Sequence, residues 1–187
     1  MDKFTIILSP VGLKDSKLAL AIEEFLESKF NASVSIERKV GMGHLINFFN
    51  EERGQVNAES LLKDLQKKIP SNPLTRIILI MDVDAYVEGL NFIFGIASEG
   101  WGGIVFLRRL HPEFYGLPSH HALFRARVIK EAMHELGHSL GLAHCLERTC
   151  VMRFSNSVWE VDSKLSEFCS KCKLIIERAY PGLLRSI

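Results

Sequence analysis

His134-Glu135-Leu136-Gly137-His138-Ser139-Leu140-Gly141-Leu142-Ala143-His144 puts three imidazoles and a carboxylate within eleven residues. On a helix of 3.6 residues per turn, His134 and His138 stand one above the other on one face. Glu135 follows the first imidazole and points close to the same spot. Gly141 has no Cβ and can take the positive φ that ends a helix, which swings His144 in as a third ligand. Three nitrogen ligands leave one corner of a tetrahedral zinc open for water, whose pKa falls to about 7. Glu135 is placed to take that water's proton and pass it to a departing amine. A bare HExxH also occurs in helices that bind nothing. The added Gly141 and His144 at this spacing make a zinc-protease pattern.

All four cysteines lie downstream, at Cys145, Cys150, Cys169 and Cys172. Their order is C-x4-C, eighteen residues, then C-x2-C. Two close pairs across a loop are what a tetrahedral four-thiolate zinc needs, and four thiolates leave no open position, so this zinc is read as structural. Such a site, beginning next to His144, would fix the loop that delivers the third ligand and hold a short segment with little core of its own. Disulfides and a redox C-x-x-C are the alternatives. The first suits a secreted chain, and nothing near the N-terminus reads as a signal peptide. The second usually sits near a βαβ start, whereas Cys169 and Cys172 fall on a segment of helical period (Val161, Leu165, Phe168, Cys172, Ile175, Ile176, Ala179).

HELGHSLGLAHC, then Cys150-Val151-Met152, then Cys169-Ser170-Lys171-Cys172, resembles the archaemetzincins, a metzincin family of small zinc peptidases. The resemblance lies mainly in residues 134–172. It implies a catalytic zinc on His134, His138 and His144 with Glu135 as general base, and a second zinc on the four cysteines. It also implies a Met-turn in which Met152 forms an apolar floor under the imidazoles; without a metal, Met152 is an ordinary core methionine. Two departures stand out. The spacer from Met152 to Cys169 is sixteen residues, one short of the usual family spacing. Phe154 stands where some metzincins carry a tyrosine that reaches the metal, and it has no hydroxyl to offer.

The elements that must position this chemistry alternate in type. Phe4–Leu8 reads as a strand and Asp15–Phe30 as a helix with Leu18, Ala21, Ile22, Phe25 and Leu26 on one face. Val34, Ile36 and Val40 alternate as a second strand. A helix spans about Asn57–Ile69, with Leu61, Leu62 and Leu65 inward and Pro70 as the stop. Ile77–Met81 is a continuous apolar run suited to a central strand. Phe92–Ala97 and Ile104–Leu107 are further strand signals, and the active-site helix spans His121–Leu140, burying Ile129, Ala132, Met133, Leu136 and Leu140. The alternation argues for parallel pairing with right-handed crossovers. With the resemblance, it implies an α/β (α+β) fold. A twisted, mostly parallel sheet with an antiparallel edge strand and the active-site helix form residues 1–141, and a small zinc-stapled subdomain forms residues 142–187, all within one domain. The resemblance also offers Gly103–Leu107 as the rim on which an extended substrate pairs; read alone, that stretch is simply a hairpin strand.

Other polar residues have plainer readings. Asp82 and Asp84 suit a solvated strand end, His111, His120 and His121 the surface, and Arg108 and Arg109 a solvated pair. Trp101 either lines the rim or anchors its loop. With 187 residues, 47% apolar, the chain suits one well-buried core. A net charge of +1 suggests no nucleic-acid partner, and no apolar run approaches the roughly eighteen residues of a membrane span. The expected protein is a monomeric cytoplasmic zinc peptidase acting on peptides. No cysteine precedes the motif to act as a latch, so its cleft should be narrow enough to exclude folded proteins. A two-zinc scaffold without turnover, and a zinc hydrolase of non-peptide amides, share every residue named so far.

Overall fold

The structure is a computed structural model that describes residues 3–13 and 16–185. Its elements are β1 (Thr5–Val11), α1 (Ser16–Lys29), β2 (Ser33–Ile36), a 3₁₀ stretch (Met42–Phe48), β3 (Phe49–Asn50) and β4 (Gln55–Asn57). Then come α2 (Ala58–Lys68), β5 (Thr75–Met81), β6 (Ala85–Tyr86), β7 (Gly95–Ser98) and β8 (Gly102–Phe106). After two short 3₁₀ turns, the chain continues into α3 (His121–Ser139), α4 (Val158–Ser163) and α5 (Ser170–Ala179). None of these helices is long and apolar enough to cross a membrane.

The main sheet has the order β2-β1-β5-β8-β7. The first four strands pair in parallel, and β7 returns antiparallel to β8 at the edge. The β1-to-β2 connection travels outward and the β2-to-β5 connection travels back, so crossovers of one hand must place α1 and α2 on opposite faces. Side-chain alternation along β5 serves both faces. Ile78 and Ile80 join Ile22, Leu26, Val128, Ala132 and Leu136 of α1 and α3. Ile77, Leu79 and Met81 join Leu61, Leu62 and Leu65 of α2. α2 starts where the Asn57 side chain accepts from the Ser60 N–H at 3.0 Å, and it stops at Ile69, before Pro70.

Several expectations change in three dimensions. β8 is no rim: it lies between β5 and β7 with every residue buried, so the edge on that side of the sheet is β7. Val40 lies beyond β2, which ends at Ile36. Arg109 is not solvated. Its guanidinium makes a bidentate pair with Asp84 at 2.7 and 2.8 Å and stacks over Phe92 and Phe114. His111 lies stacked on Phe124, with ring centroids 3.9 Å apart, and meets Asp82 at 3.3 Å. Trp101 is an anchor, buried with its indole N–H donated to the Ile69 carbonyl at 2.8 Å. The expected start of the first helix at Asp15 lies outside the described residues.

The C-terminal part also differs from expectation. The helical period from Val161 to Ala179 is divided between α4 and α5, leaving Leu165 and Ile175 exposed. Nor does this part lack a core: Val151, Met152, Val158, Val161, Phe168 and Ile176 belong to the same cluster as Phe30 and Leu136.

Gly103 faces α3 and leaves no room for a side chain between the helix and the sheet. A Cβ there would sit 2.7 Å from the Glu135 Cβ and 3.2 Å from the Ala97 Cβ, both on rigid backbone. Gly103→Ala is therefore expected to lose about 1–3 kcal/mol of stability by overpacking, read as a lower urea midpoint with an unchanged slope.

Candidate active site

α3 is solvated at its start and buried toward its end, where His134, Glu135, Leu136 and Gly137 are all buried. Its C-terminus is closed by a Schellman turn. The Gly141 N–H bonds the His138 carbonyl and the Leu142 N–H bonds the Gly137 carbonyl, each at 3.0 Å, with Gly141 at φ +91°. Buried Arg76 adds to this end by donating Nε–H to the Ser139 carbonyl at 3.1 Å, which favours the negative pole of the helix. After the turn the chain reverses and carries His144 back over the helix.

The three imidazoles meet. Their nearest ring nitrogens all lie within 4.8 Å of one another, and His134 Nε2 stands 3.1 Å from His138 Nε2. Ligand nitrogens on a tetrahedral zinc are separated by roughly 3.4 Å, so the set fits that ion. Backbone carbonyls orient two of the rings. His134 Nδ1–H donates to Val151 O at 2.8 Å, and His138 Nδ1–H donates to Leu142 O at 2.7 Å. With the proton held on Nδ1, each Nε2 presents its lone pair to the common point. Burial, together with the nearby Lys164 cation, holds His134 well below its ordinary pKa. Burial also lowers His138 and His144, so all three favour the neutral form that a metal needs.

Glu135 is fully enclosed. Its Oε2 is buried without a hydrogen-bond partner among the described residues. Burial first, and Glu131 second, push its carboxyl well above the usual range, with Lys164 opposing. Gly95 and Gly103 leave the space it occupies, since a Cβ on either would meet the Glu135 side chain. Below it, Met152 packs against Gly137, where any side chain would collide with the thioether. A buried carboxylate with an oxygen to spare, beside three neutral imidazoles, fits a metal centre that handles a protic small molecule.

A cleft of about 550 Å³ opens over this group. The chain from Leu90 into β7 forms one wall and α3 the floor, while His144, Phe154–Asn156 and Lys164 close the opposite side. Phe154 lies edge-on to His144, with centroids 4.9 Å apart, so an apolar ring borders the histidines at that position.

The four cysteines are free thiols and form a second cluster. Sγ–Sγ separations of 3.7 Å (Cys145–Cys169) and 3.8 Å (Cys150–Cys172) match the edge of a tetrahedron around zinc, about 3.8 Å for bonds of about 2.3 Å. Backbone N–H groups of Glu147 and Cys169 donate to the sulfurs of Cys145 and Cys150. Burial raises the Cys150 and Cys172 thiols. At Cys169 burial pushes the same way, but the Cys172 N–H and neighbouring thiols outweigh it and bring the group to about 7.

Every residue singled out from the motifs therefore arrives in one of two clusters or directly beside one. Sequence reasoning missed Lys164 and Glu131, a buried ion pair with Nζ–Oε1 of 3.0 Å on the cleft wall. It also missed Gly95, Gly103 and Gly137, which make room for Glu135 and Met152. A lysine two residues beyond Asp162 gives no sign of burial in one dimension. Paired glycines in a strand signal were the available hint.

The model of "Peptidase family M54" matches residues 14–178. An archaemetzincin of Pyrococcus furiosus is 38% identical over 185 residues, covering 96% of each chain. One of Saccharolobus solfataricus is 46% identical over 133 residues, 71% of this chain and 72% of its own. Among solved structures, archaemetzincin of Methanopyrus kandleri superimposes with a TM-score of 0.77 at 31% identity, covering 95% of both chains. That of Archaeoglobus fulgidus, complexed with malonate, gives 0.76 at 32% identity, covering 91% of this chain and 99% of its own. Agreement over nearly the whole length, in sequence and in fold, makes this chain a member of peptidase family M54, the archaemetzincins, and a zinc-dependent metallopeptidase.

Proposed function

We propose that His134, His138 and His144 hold the catalytic zinc, that Glu135 is the general base, and that Cys145, Cys150, Cys169 and Cys172 hold a second, structural zinc. The observation that carries this is the convergence of three neutral imidazoles, two locked by backbone carbonyls, beside a carboxylate with an unpartnered oxygen. When bound, zinc supplies a Lewis acid that polarises a peptide carbonyl and lowers the pKa of water toward about 7. The protein's own residues do the rest. Glu135 accepts the proton of the attacking water and returns it to the leaving amine, helped by a site that already raises its proton affinity. The β7 edge offers backbone groups to an extended peptide, and Phe154 places one apolar ring on the far side beside His144.

The reading extends to context. A cleft of this volume favours short or unfolded peptides over folded proteins. Four free thiols gathered for a metal suit a reducing compartment, consistent with a cytoplasmic address. The core shared between residues 1–141 and 142–187 supports one domain with two subdomains. A monomer is the simplest state.

Three measurements test this. Glu135→Gln should keep its zinc and lose about 10²–10⁴-fold in peptide turnover; full activity in that variant would remove the base from the mechanism. Metal analysis should give two zinc ions per chain, one lost on replacing both His134 and His138 by alanine. Cys169→Ser with Cys172→Ser should release the other zinc and speed amide exchange from Val158 to Ala179, since zinc in small sites contributes about 10–16 kcal/mol at neutral pH.

A further inference from the structure

We propose that the Lys164–Glu131 ion pair makes the recess beside Glu135 a subsite for a neutral carboxamide side chain, glutamine or asparagine, on the substrate residue just after the scissile bond. This rests on the peptidase reading above and names what that site selects.

The pair is almost wholly buried, with side chains 1% and 4% exposed, yet both residues border the cleft. The cleft they border carries the apolar Phe92, Phe94 and Phe154 together with the polar Asn91, Ser155 and Asn156. An ammonium has three donors. Lys164 Nζ donates to the Arg153 carbonyl at 3.3 Å and lies 3.0 Å from Glu131 Oε1 as an ion pair without the angles of a hydrogen bond, so donors are left over. Glu131 Oε1 is buried with no hydrogen-bond partner among the described residues, so its lone pairs are available.

Placement follows from the backbone. Glu131 lies about one turn before Glu135 on α3. Gly95, the first residue of β7, abuts the Glu135 carboxylate, while the Gly100 N–H just past the other end of β7 bonds Ser139 O at 2.9 Å. Residues 92–94 and Glu131 therefore lie on the same side of Glu135. A peptide added antiparallel to β7, the commoner pairing, runs from the Ser98 end toward Gly95. Its residue after the scissile bond then faces the recess.

The charges decide what fits there. An acidic side chain would meet Glu131 and Glu135, and a basic one would meet Lys164. A leucine or methionine would expel water and leave the spare ammonium donors and carboxylate lone pairs unmatched, which is unfavourable for a pair this deeply buried. A carboxamide meets both needs: its oxygen accepts from Lys164 and its NH₂ donates to Glu131.

The test uses the zinc-loaded full chain in two ways. One is cleavage-site profiling with a randomised peptide pool. The other is affinity for a series of hydroxamates carrying a glutamine, leucine, glutamate or lysine side chain at the position after the metal-binding group. Glutamine should lead by about tenfold in each measurement. In the double variant Lys164→Met with Glu131→Leu, an apolar replacement of the whole pair, leucine should lead instead. A wild-type preference for leucine, glutamate or lysine, or a ranking left unchanged by the double variant, overturns the proposal. Should the double variant fail to fold, the wild-type ranking and Glu131→Gln, expected to narrow the lead of glutamine, decide it. If the pool is not cleaved, the hydroxamate affinities still decide the subsite, and the failure counts against the peptidase reading alone.

Discussion

The short stretch Cys150-Val151-Met152 must be held against the underside of α3, and the rest of the cleft depends on that contact. The Val151 carbonyl orients His134, and Met152 fills the hollow that Gly137 leaves on the helix. The Met152 carbonyl in turn accepts from the Cys145 N–H at 2.9 Å, one residue past His144. A single loop thus fixes two of the three histidines. Loops carry little stability of their own, so this one needs independent anchoring. The cysteine cluster supplies it by drawing Cys145, Cys150, Cys169 and Cys172 together around the same loop. The histidine and cysteine clusters are in this sense joined, with Cys145 directly beside His144 in the chain.

A second set of contacts joins the same two parts through charge. Arg127 of α3 is fully buried and grips Asp162 with two bonds of 2.8 and 2.7 Å. Lys130 donates to the carbonyls of Val161 and Asp162, which are otherwise orphaned near the end of α4. Glu131 takes Lys164. Three polar residues on consecutive parts of one helix therefore hold α4 and the wall behind it. Apolar packing alone would leave that wall free to slide, whereas directional bonds to named carbonyls fix its register. At the opposite end of α3, Arg76 links Ser139 to the Tyr180 hydroxyl and so ties the helix to the residue after α5.

Local chemistry was legible where neighbours in sequence are neighbours in space. His134, Glu135 and His138 share a helix face by spacing alone, and the glycine at 141 announces the turn that returns His144. The helices α1 and α2 and the buried strand β5 follow from periodicity, and the end of α1 and both limits of α2 and β5 fall within a residue or two of those expected. The active-site helix also starts and stops close to expectation. The pattern failed where burial came from distant partners. Gly103–Leu107, offered as a rim by the resemblance alone, is interior because its second neighbour, β5, lies far back in the chain. Arg109 reads as solvated because Asp84, Phe92 and Phe114 are scattered over thirty residues.

The amino-acid order by itself determined the histidine and cysteine pattern, its spacing, the carboxylate beside it and the alternation of strand and helix, since each depends on interactions within a turn or two of backbone. Only the tertiary structure decided that β7 rather than β8 is an edge strand, which glycines admit the Glu135 side chain, and that Lys164 is buried against Glu131 at the cleft. Those features arise from contacts between segments brought together by the core, and a buried charge is stable only once its partner is in place.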